Sequence, residues 1–401
     1  MAAIERVHIR SILDSRGNPT VEVDLFAGSA RGRVAAPSGA STSTHEAQAF
    51  PNGGADEAIR IFRREIEPRL TGRDATDQAG LDALLRDLDG TPNFARIGGN
   101  VAIAVSLAAA KAAAASRGMP LYRSLGGPRG MPFPFGNVIG GGRHAVGGTT
   151  IQEFLVVSQG ASVAANVRAN ARVHHLLKAA LSDRFPDGPL GRGDEGAWVA
   201  RLADEDALAL LADACRAVEA EVRFPVRPAL DLAASEFYHG GTYRYRERAL
   251  TPDEQIEFLA RLVETHGVYS LEDPLDQEDF EGFARLTELV GSRCKVIGDD
   301  LFATNVTRLR RGIEMRAANG ILIKPNQIGT LSETRAAVDL AHQAGYATVV
   351  SHRSGETTDD TIAHLAVAFG SLGIKTGAVG GERIAKLNEL IRIEEELQGG
   401  G

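Results

Sequence analysis

Tyr269-Ser270-Leu271-Glu272, Val296-Ile297-Gly298-Asp299, Ile321-Leu322-Ile323-Lys324, Thr348-Val349-Val350-Ser351-His352 and Gly373-Ile374-Lys375 are short apolar runs, each closed by a charged or titratable residue. The closing residues stand 27, 25, 28 and 23 residues apart. That period holds one strand, one helix and their loops, and intervening segments such as 333–344 carry helical periodicity. The series extends upstream to Arg227-Pro228-Ala229-Leu230 before Asp231, and to Phe154-Leu155-Val156-Val157 beside Glu153. A repeated βα unit predicts either a β/α barrel or a doubly wound sheet. A doubly wound sheet usually carries a Gly-rich phosphate fingerprint that opens a helix. Here Gly140-Gly141-Gly142 leads into Arg143-His144 instead, so a barrel is expected. In a barrel, residues far apart in sequence converge at the C-terminal strand ends.

The barrel is expected over 126–401, with Gly126 to Pro134 as a Gly- and Pro-rich linker at its start. Ahead of it, residues 1–125 read as a small α+β domain. Asp14-Ser15-Arg16-Gly17-Asn18-Pro19 is a turn signal, and the alternating Val21 to Phe26 predicts a hairpin strand. Helices are expected over 55–70, 79–88 and 101–117.

Hydrophobic residues make up 43% and charged residues 24% of the 401-residue chain, enough apolar content for a large core. A net charge of −8 with no basic run argues against nucleic acid or an anionic membrane as partner. Glu5, Arg6 and Arg10 precede any apolar run, so no signal peptide is readable. No run of about 18 apolar residues is expected to span a bilayer; Val101 to Ala115 is alanine-rich and interrupted by Lys111. Two cysteines, Cys215 and Cys294, provide neither a disulfide framework nor a thiolate metal site. A reducing cytoplasm is the expected location.

Asp231, Glu272 and Asp299 are spaced as successive strands would place them. Three carboxylates at one mouth repel unless a cation stands between them, and all-oxygen ligands favour a hard ion such as Mg²⁺. Lys324 and Lys375 end the next strands. Of the 44 basic residues only six are lysine, so two at strand ends in an arginine-rich chain point to work that arginine cannot do. A lysine repelled by a nearby metal can become neutral and act as a base, whereas arginine keeps its proton. The same two lysines would also serve simply to balance the carboxylates. Glu195, in a Gly-flanked loop, and Glu153 suit a general acid that protonates a departing hydroxyl.

With these residues in place, the chain resembles the enolase family from about Arg10 to Leu397. The resemblance rests on DSRGNPTVEVDL (14–25), PSGAST (37–42), GDEG (193–196), LDLAASEFY (230–238) and LEDP (271–274). It continues through GDDL (298–301), KPNQIGT (324–330), SHRSGET (351–357), IKTGA (374–378) and RIEEEL (392–397). It implies a barrel whose first two strands are antiparallel and the reversible dehydration of 2-phosphoglycerate to phosphoenolpyruvate. By resemblance, Asp231, Glu272 and Asp299 hold a first Mg²⁺, and Ser41 reaches a second that arrives with substrate. Lys324 takes the C2 proton, and Glu195, supported by Glu153, protonates the leaving hydroxyl. Gln152, Lys375, Arg353 and Ser354 grip the substrate, while His144 and His352 close over it. A homodimer is implied through Arg10, Glu22, Arg392 and Glu395.

Some segments depart from the family pattern: residues 140–146, Ala197-Trp198 after GDEG, 46–52, and the shortened Val379-Gly380-Gly381-Glu382-Arg383. The chain also stops at Gly401 without the usual tail. These departures leave a second reading open, a paralogue acting on a related phospho- or phosphono-carboxylic acid met by Arg143. A non-catalytic relative is a third, and it is disfavoured because the ligands and the base are all present.

Overall fold

The computed structural model describes residues 2–39, 43–186, 188 and 190–399. Its N-terminal part is a three-stranded antiparallel sheet, Arg6–Leu13, Pro19–Ala27 and Ala30–Ala35 in that order. The Asp14 carboxylate accepts from the amides of Arg16 (2.9 Å) and Asn18 (2.8 Å), and this closes the predicted turn and sets the first hairpin's register.

Helix Gly99–Ser116 lies across this sheet. Its alanines allow close approach: a side chain at Gly32 would meet the Ala108 carbonyl oxygen at 1.9 Å. By length and composition alone this helix is apolar enough to cross a membrane, though the sequence, broken by Lys111, reads as a buried helix closed by Gly118. Its 83% burial inside the protein identifies it as a core helix. The expected 55–70 helix is interrupted by a wider turn over Phe62–Ile66.

Eight strands close into a barrel: Phe133–Gly140, Glu153–Ser158, Val226–Asp231, Ser270–Glu272, Lys295–Gly298, Gly320–Ile323, Ala347–Ser351 and Gly373–Lys375. The first pairs with the eighth in parallel to complete the ring. The second runs antiparallel to both its neighbours. The first strand was not legible as a strand, because its glycines and proline hide the apolar alternation. The α/β fold class expected from the repeat is the one observed.

Side-chain alternation connects this barrel to its mouth. Phe135, Leu155, Val157, Ala229, Ile297, Leu322 and Val349 form one buried cluster inside the barrel. Along a strand, every second side chain faces the same way. Two residues beyond five of these plugs stand Asn137, Asp231, Asp299, Lys324 and Ser351, and two before Leu155 stands Glu153. Each therefore projects over the plug toward the open end. Gly373, two before Lys375, makes room for the Phe135 ring, which a side chain there would meet at 2.3 Å.

Candidate active site

The mouth holds a small cavity lined by Gln152, Glu153, Glu195, Asp231, Asp299 and Lys324, together with Lys375, His144, His352, Arg353 and Ser354. The reversed second strand explains how Glu153, at the start of its strand, reaches the same end as Asp231, at the end of the next; the two are directly paired. Asp231 is in turn paired with Glu272 across the following strands.

On this side, the buried Lys375 ammonium lies 2.8 Å from both Asp231 and Glu272 and 3.2 Å from Glu153. Lys324 pairs with Asp299, whose other oxygen accepts from Gln327 at 2.9 Å. Burial opposes charge on both lysines, yet the facing carboxylates hold both pKa values above the ordinary lysine value, Lys375 well above it. Burial and the Asp231 charge push Glu272 well up. Asp231 is buried too, but Lys375 brings it below its usual range. Burial and the neighbouring Asp299 lift Asp300 to about 8.

A divalent cation fits this donor set. The donors are all oxygen, and buried Glu272 Oε1 has no hydrogen-bond partner among the described residues. The lysine ammonium groups already stand against Asp231, Glu272 and Asp299, where positive charge is required. Asp273, Asp299 and Asp300 also lie close enough together to share an ion. Asp273 is committed elsewhere, since its oxygens accept from the amides of Asp299 (2.9 Å) and Asp300 (2.7 Å). That brace accompanies an uncommon left-handed backbone at Asp273, φ 39°.

The opposite side is assembled from loops. Glu195 Oε2 accepts from Asn137 at 3.1 Å, and its Oε1 lies 3.2 Å from His352 Nε2. His144 Nδ1 stands between the two glutamates, 3.4 Å from Glu153 and 3.7 Å from Glu195. Burial and the Glu195 charge push Glu153 well above the carboxylate range. Burial would raise Glu195 as well, but His352, His144 and Arg383 hold it well below. Burial pushes His352 down to about 3.

The Glu195 loop has its own support. Gly196, at φ 77°, offers its carbonyl to His174 Nε2 at 3.0 Å. The His174 ring stacks on Trp198 at 4.7 Å, and the indole N–H donates to the His174 carbonyl at 2.9 Å. Ala197 and Trp198, read in the sequence as a departure, thus belong to the packing behind the glutamate.

Gln152 is buried at the cavity wall with Oε1 unpartnered among the described residues. Arg353 and Ser354 also line the cavity. Arg353 bonds Glu46 at 2.9 and 3.1 Å and Asn326 at 3.0 Å, while Ser354 Oγ accepts from Arg16 at 3.3 Å. Ser41 lies outside the described residues. Arg143 does not line the cavity; its half-exposed side chain pairs with Glu236 on the rim at 2.7 Å. Arg10 pairs with Glu22 and Asp24, Arg392 with Glu389, and Glu395 is exposed.

Sequence reasoning missed Asn137, Asp273, Asp300 and Arg383. The acidic doublets in LEDP and GDDL were a signal for two of them, though only the strand-end acid of each was considered. Asn137 lies on the strand that went unread.

The enolase N-terminal domain model matches residues 4–125, and the enolase C-terminal TIM barrel domain model matches 129–401. The chain is 55% identical to the enolase of Methanothermobacter thermautotrophicus over 402 residues, covering 98% of this chain and 97% of the relative. It is 54% identical to the Natronomonas pharaonis enolase over 98% of this chain and 99% of the relative. With the Picrophilus torridus enolase it shares 49% over the same fractions. On this identity across both domains, the chain belongs to the enolase family.

Proposed function

We propose that Lys324 is the base and Glu195 the acid with which this phosphopyruvate hydratase converts 2-phosphoglycerate reversibly to phosphoenolpyruvate. The observation that carries the reading is the convergence of two lysines and a buried glutamate pair on one cavity, with the lysines held against the three carboxylates proposed to share a cation.

Asp231, Glu272 and Asp299 are the proposed ligands of a first Mg²⁺, and Ser41 a ligand of a second that enters with substrate. The ions supply positive charge to the carboxylate-bearing carbanion, which is otherwise too unstable to form. Lys324 is held as a cation by Asp299. If Asp299 served as a ligand of the cation, it would no longer hold Lys324 charged, and Lys324 would be the residue to accept the C2 proton. Lys375, Gln152, Arg353 and Ser354 orient the substrate, Arg353 and Ser354 toward its phosphate.

Glu153 and Glu195 retain one proton between them, because two buried carboxylates this close do not both ionise easily. Their opposed shifts favour Glu153 as its resting place. Elimination needs it on Glu195, beside the leaving C3 hydroxyl, and His144 Nδ1 lies against both carboxylates as a relay. Closure of the His144 loop would exclude water while the carbanion lives.

Arg143 on the rim favours the phosphoglycerate reading over one with an extra acid group on the substrate. Purified protein given 2-phosphoglycerate and Mg²⁺ should generate phosphoenolpyruvate absorbance that chelator abolishes. No turnover of 2-phosphoglycerate would point to the altered-substrate reading, and full turnover without metal would remove the carboxylate site. As a member of its family, the enzyme is proposed to act in glycolysis in the cytoplasm as a homodimer, through Arg10, Glu22, Arg392 and Glu395. A monomeric mass by light scattering at micromolar concentration would overturn the dimer.

A further inference from the structure

We infer that Arg383 is a positioning residue that fixes His352 as the Nε2–H tautomer, so that His352 can only donate to Glu195 and can never take its proton. The inference rests on the reading of Glu195 as the acid.

Arg383 is fully buried in the first turn of the last helix, Gly381–Gly399. Its Nη1 lies 2.8 Å from His352 Nδ1 and 2.6 Å from the Arg353 carbonyl oxygen. Its Nη2 donates to the carbonyls of Ser354 (2.6 Å) and Asp194 (3.1 Å). A guanidinium has five N–H donors, no acceptor, and keeps its charge in proteins. The nitrogen facing it must therefore offer a lone pair. His352 Nδ1 is that acceptor, and the ring proton is left on Nε2, 3.2 Å from Glu195 Oε1.

The consequence is directional. With the opposite tautomer, Nε2 would accept from protonated Glu195 and compete with the substrate for its proton. With Arg383 in place, Nε2 already carries hydrogen and Nδ1 faces a cation, so neither ring nitrogen can take another. Asn137 donates to the other Glu195 oxygen. Both oxygens thus receive hydrogen bonds that favour the carboxylate, and a proton delivered to Glu195 is readily passed on to the leaving hydroxyl. His144 has no such lock among the described residues, since its Nδ1 faces two carboxylates and has no hydrogen-bond partner there.

The shortened segment before the last helix shapes the lock. A side chain at Gly377 would meet the Glu195 carbonyl oxygen at 2.9 Å and Arg383 Cγ at 3.3 Å, and one at Gly380 would meet the same Cγ at 3.3 Å. Gly377 of the matching IKTGA motif and Gly380 of the shortened segment thus both pack on the arginine, and a side chain at Gly196 in the acid's loop would meet the Val379 carbonyl oxygen at 2.7 Å.

The test is a long-range ¹H–¹⁵N spectrum of full-length enzyme labelled in its ten histidines, with His352 assigned by its disappearance in His352→Gln. The wild type should show protonated Nε2 and unprotonated Nδ1 throughout about pH 6 to 8. Arg383→Met should give mixed or doubly protonated signals, and kcat should fall about 10- to 100-fold with KM nearly unchanged. Arg383→Lys, which keeps a donor-only cation, should retain the Nε2–H pattern and recover part of kcat. Protonated Nδ1 in the wild type would overturn the inference without any variant. So would an unchanged pattern in folded Arg383→Met. Failure of the underlying reading is seen separately: a Glu195→Gln enzyme with unimpaired elimination removes the acid but leaves the tautomer result intact.

Discussion

On one side of the barrel mouth, Asp231 and Glu272 end their strands and Asp299 and Lys324 stand one residue beyond theirs, all held by the sheet's own register. On the other side, Glu195 sits in a Gly-flanked turn, His144 in a short loop helix, and Glu153 on the strand that runs backwards. The strand-end side needs few outside supports, because backbone pairing fixes its groups. The loop side borrows its order from Asn137, His174, Trp198 and Arg383, which lie far apart in sequence. On the proposed reading, the charge that would bind a cation comes from regular structure, and control over the proton would come from side chains packed behind loops.

The largest break in this comparison is expected on the strand side. Asp299→Asn should lower kcat/KM by about 1,000-fold or more at fixed Mg²⁺ and raise the Mg²⁺ needed for half-activity, with thermal unfolding little changed. An unaltered Mg²⁺ requirement would remove Asp299 from the ligand set. A smaller loss is expected on the loop side. Asn137→Ala deletes one hydrogen bond to a buried carboxylate, worth about 1.5–3 kcal/mol, so kcat should fall about 10- to 100-fold while the metal requirement stays put. A shift in metal requirement there would show that the two sides are not separable.

The same contrast explains what the sequence could reveal. The barrel, its strand-end carboxylates and Lys324 were legible because a period of about 25 residues and an alternation of two are one-dimensional signals. Glu153 was legible as a residue, but its place at the mouth depends on strand direction, which spacing alone does not encode. Arg383 was read only as part of a broken motif, since its partners His352, Arg353 and Asp194 meet it through folding alone. The first strand escaped because Gly136, Gly140 and Pro134 suit close packing at the barrel rather than an apolar pattern.

A finer effect should separate support from catalysis. Burial lowers the His174 pKa to about 4, whereas the unfolded residue protonates near 6.5. The unfolded state therefore binds the proton first, and stability is lost as pH falls from about 6.5 toward about 4. His352, pushed down to about 3, pulls in the same direction. His174→Phe should shrink the drop in melting temperature between about pH 7 and pH 4.5 without erasing it. An unchanged acid dependence would mean that His174 is not neutral in the folded enzyme.

The division of labour between the two sides is tested most directly by exchange of the C2 proton of 2-phosphoglycerate with solvent deuterium. If Lys324 is the base, Lys324→Ala should abolish exchange and elimination together, and Lys324→Arg should be nearly as inactive, because a guanidinium cannot accept a proton. Glu195→Gln should slow elimination while C2 exchange remains measurable. Substantial exchange in Lys324→Arg would contradict the account: Lys324 would then serve only as fixed charge, and the base would have to be sought at Lys375.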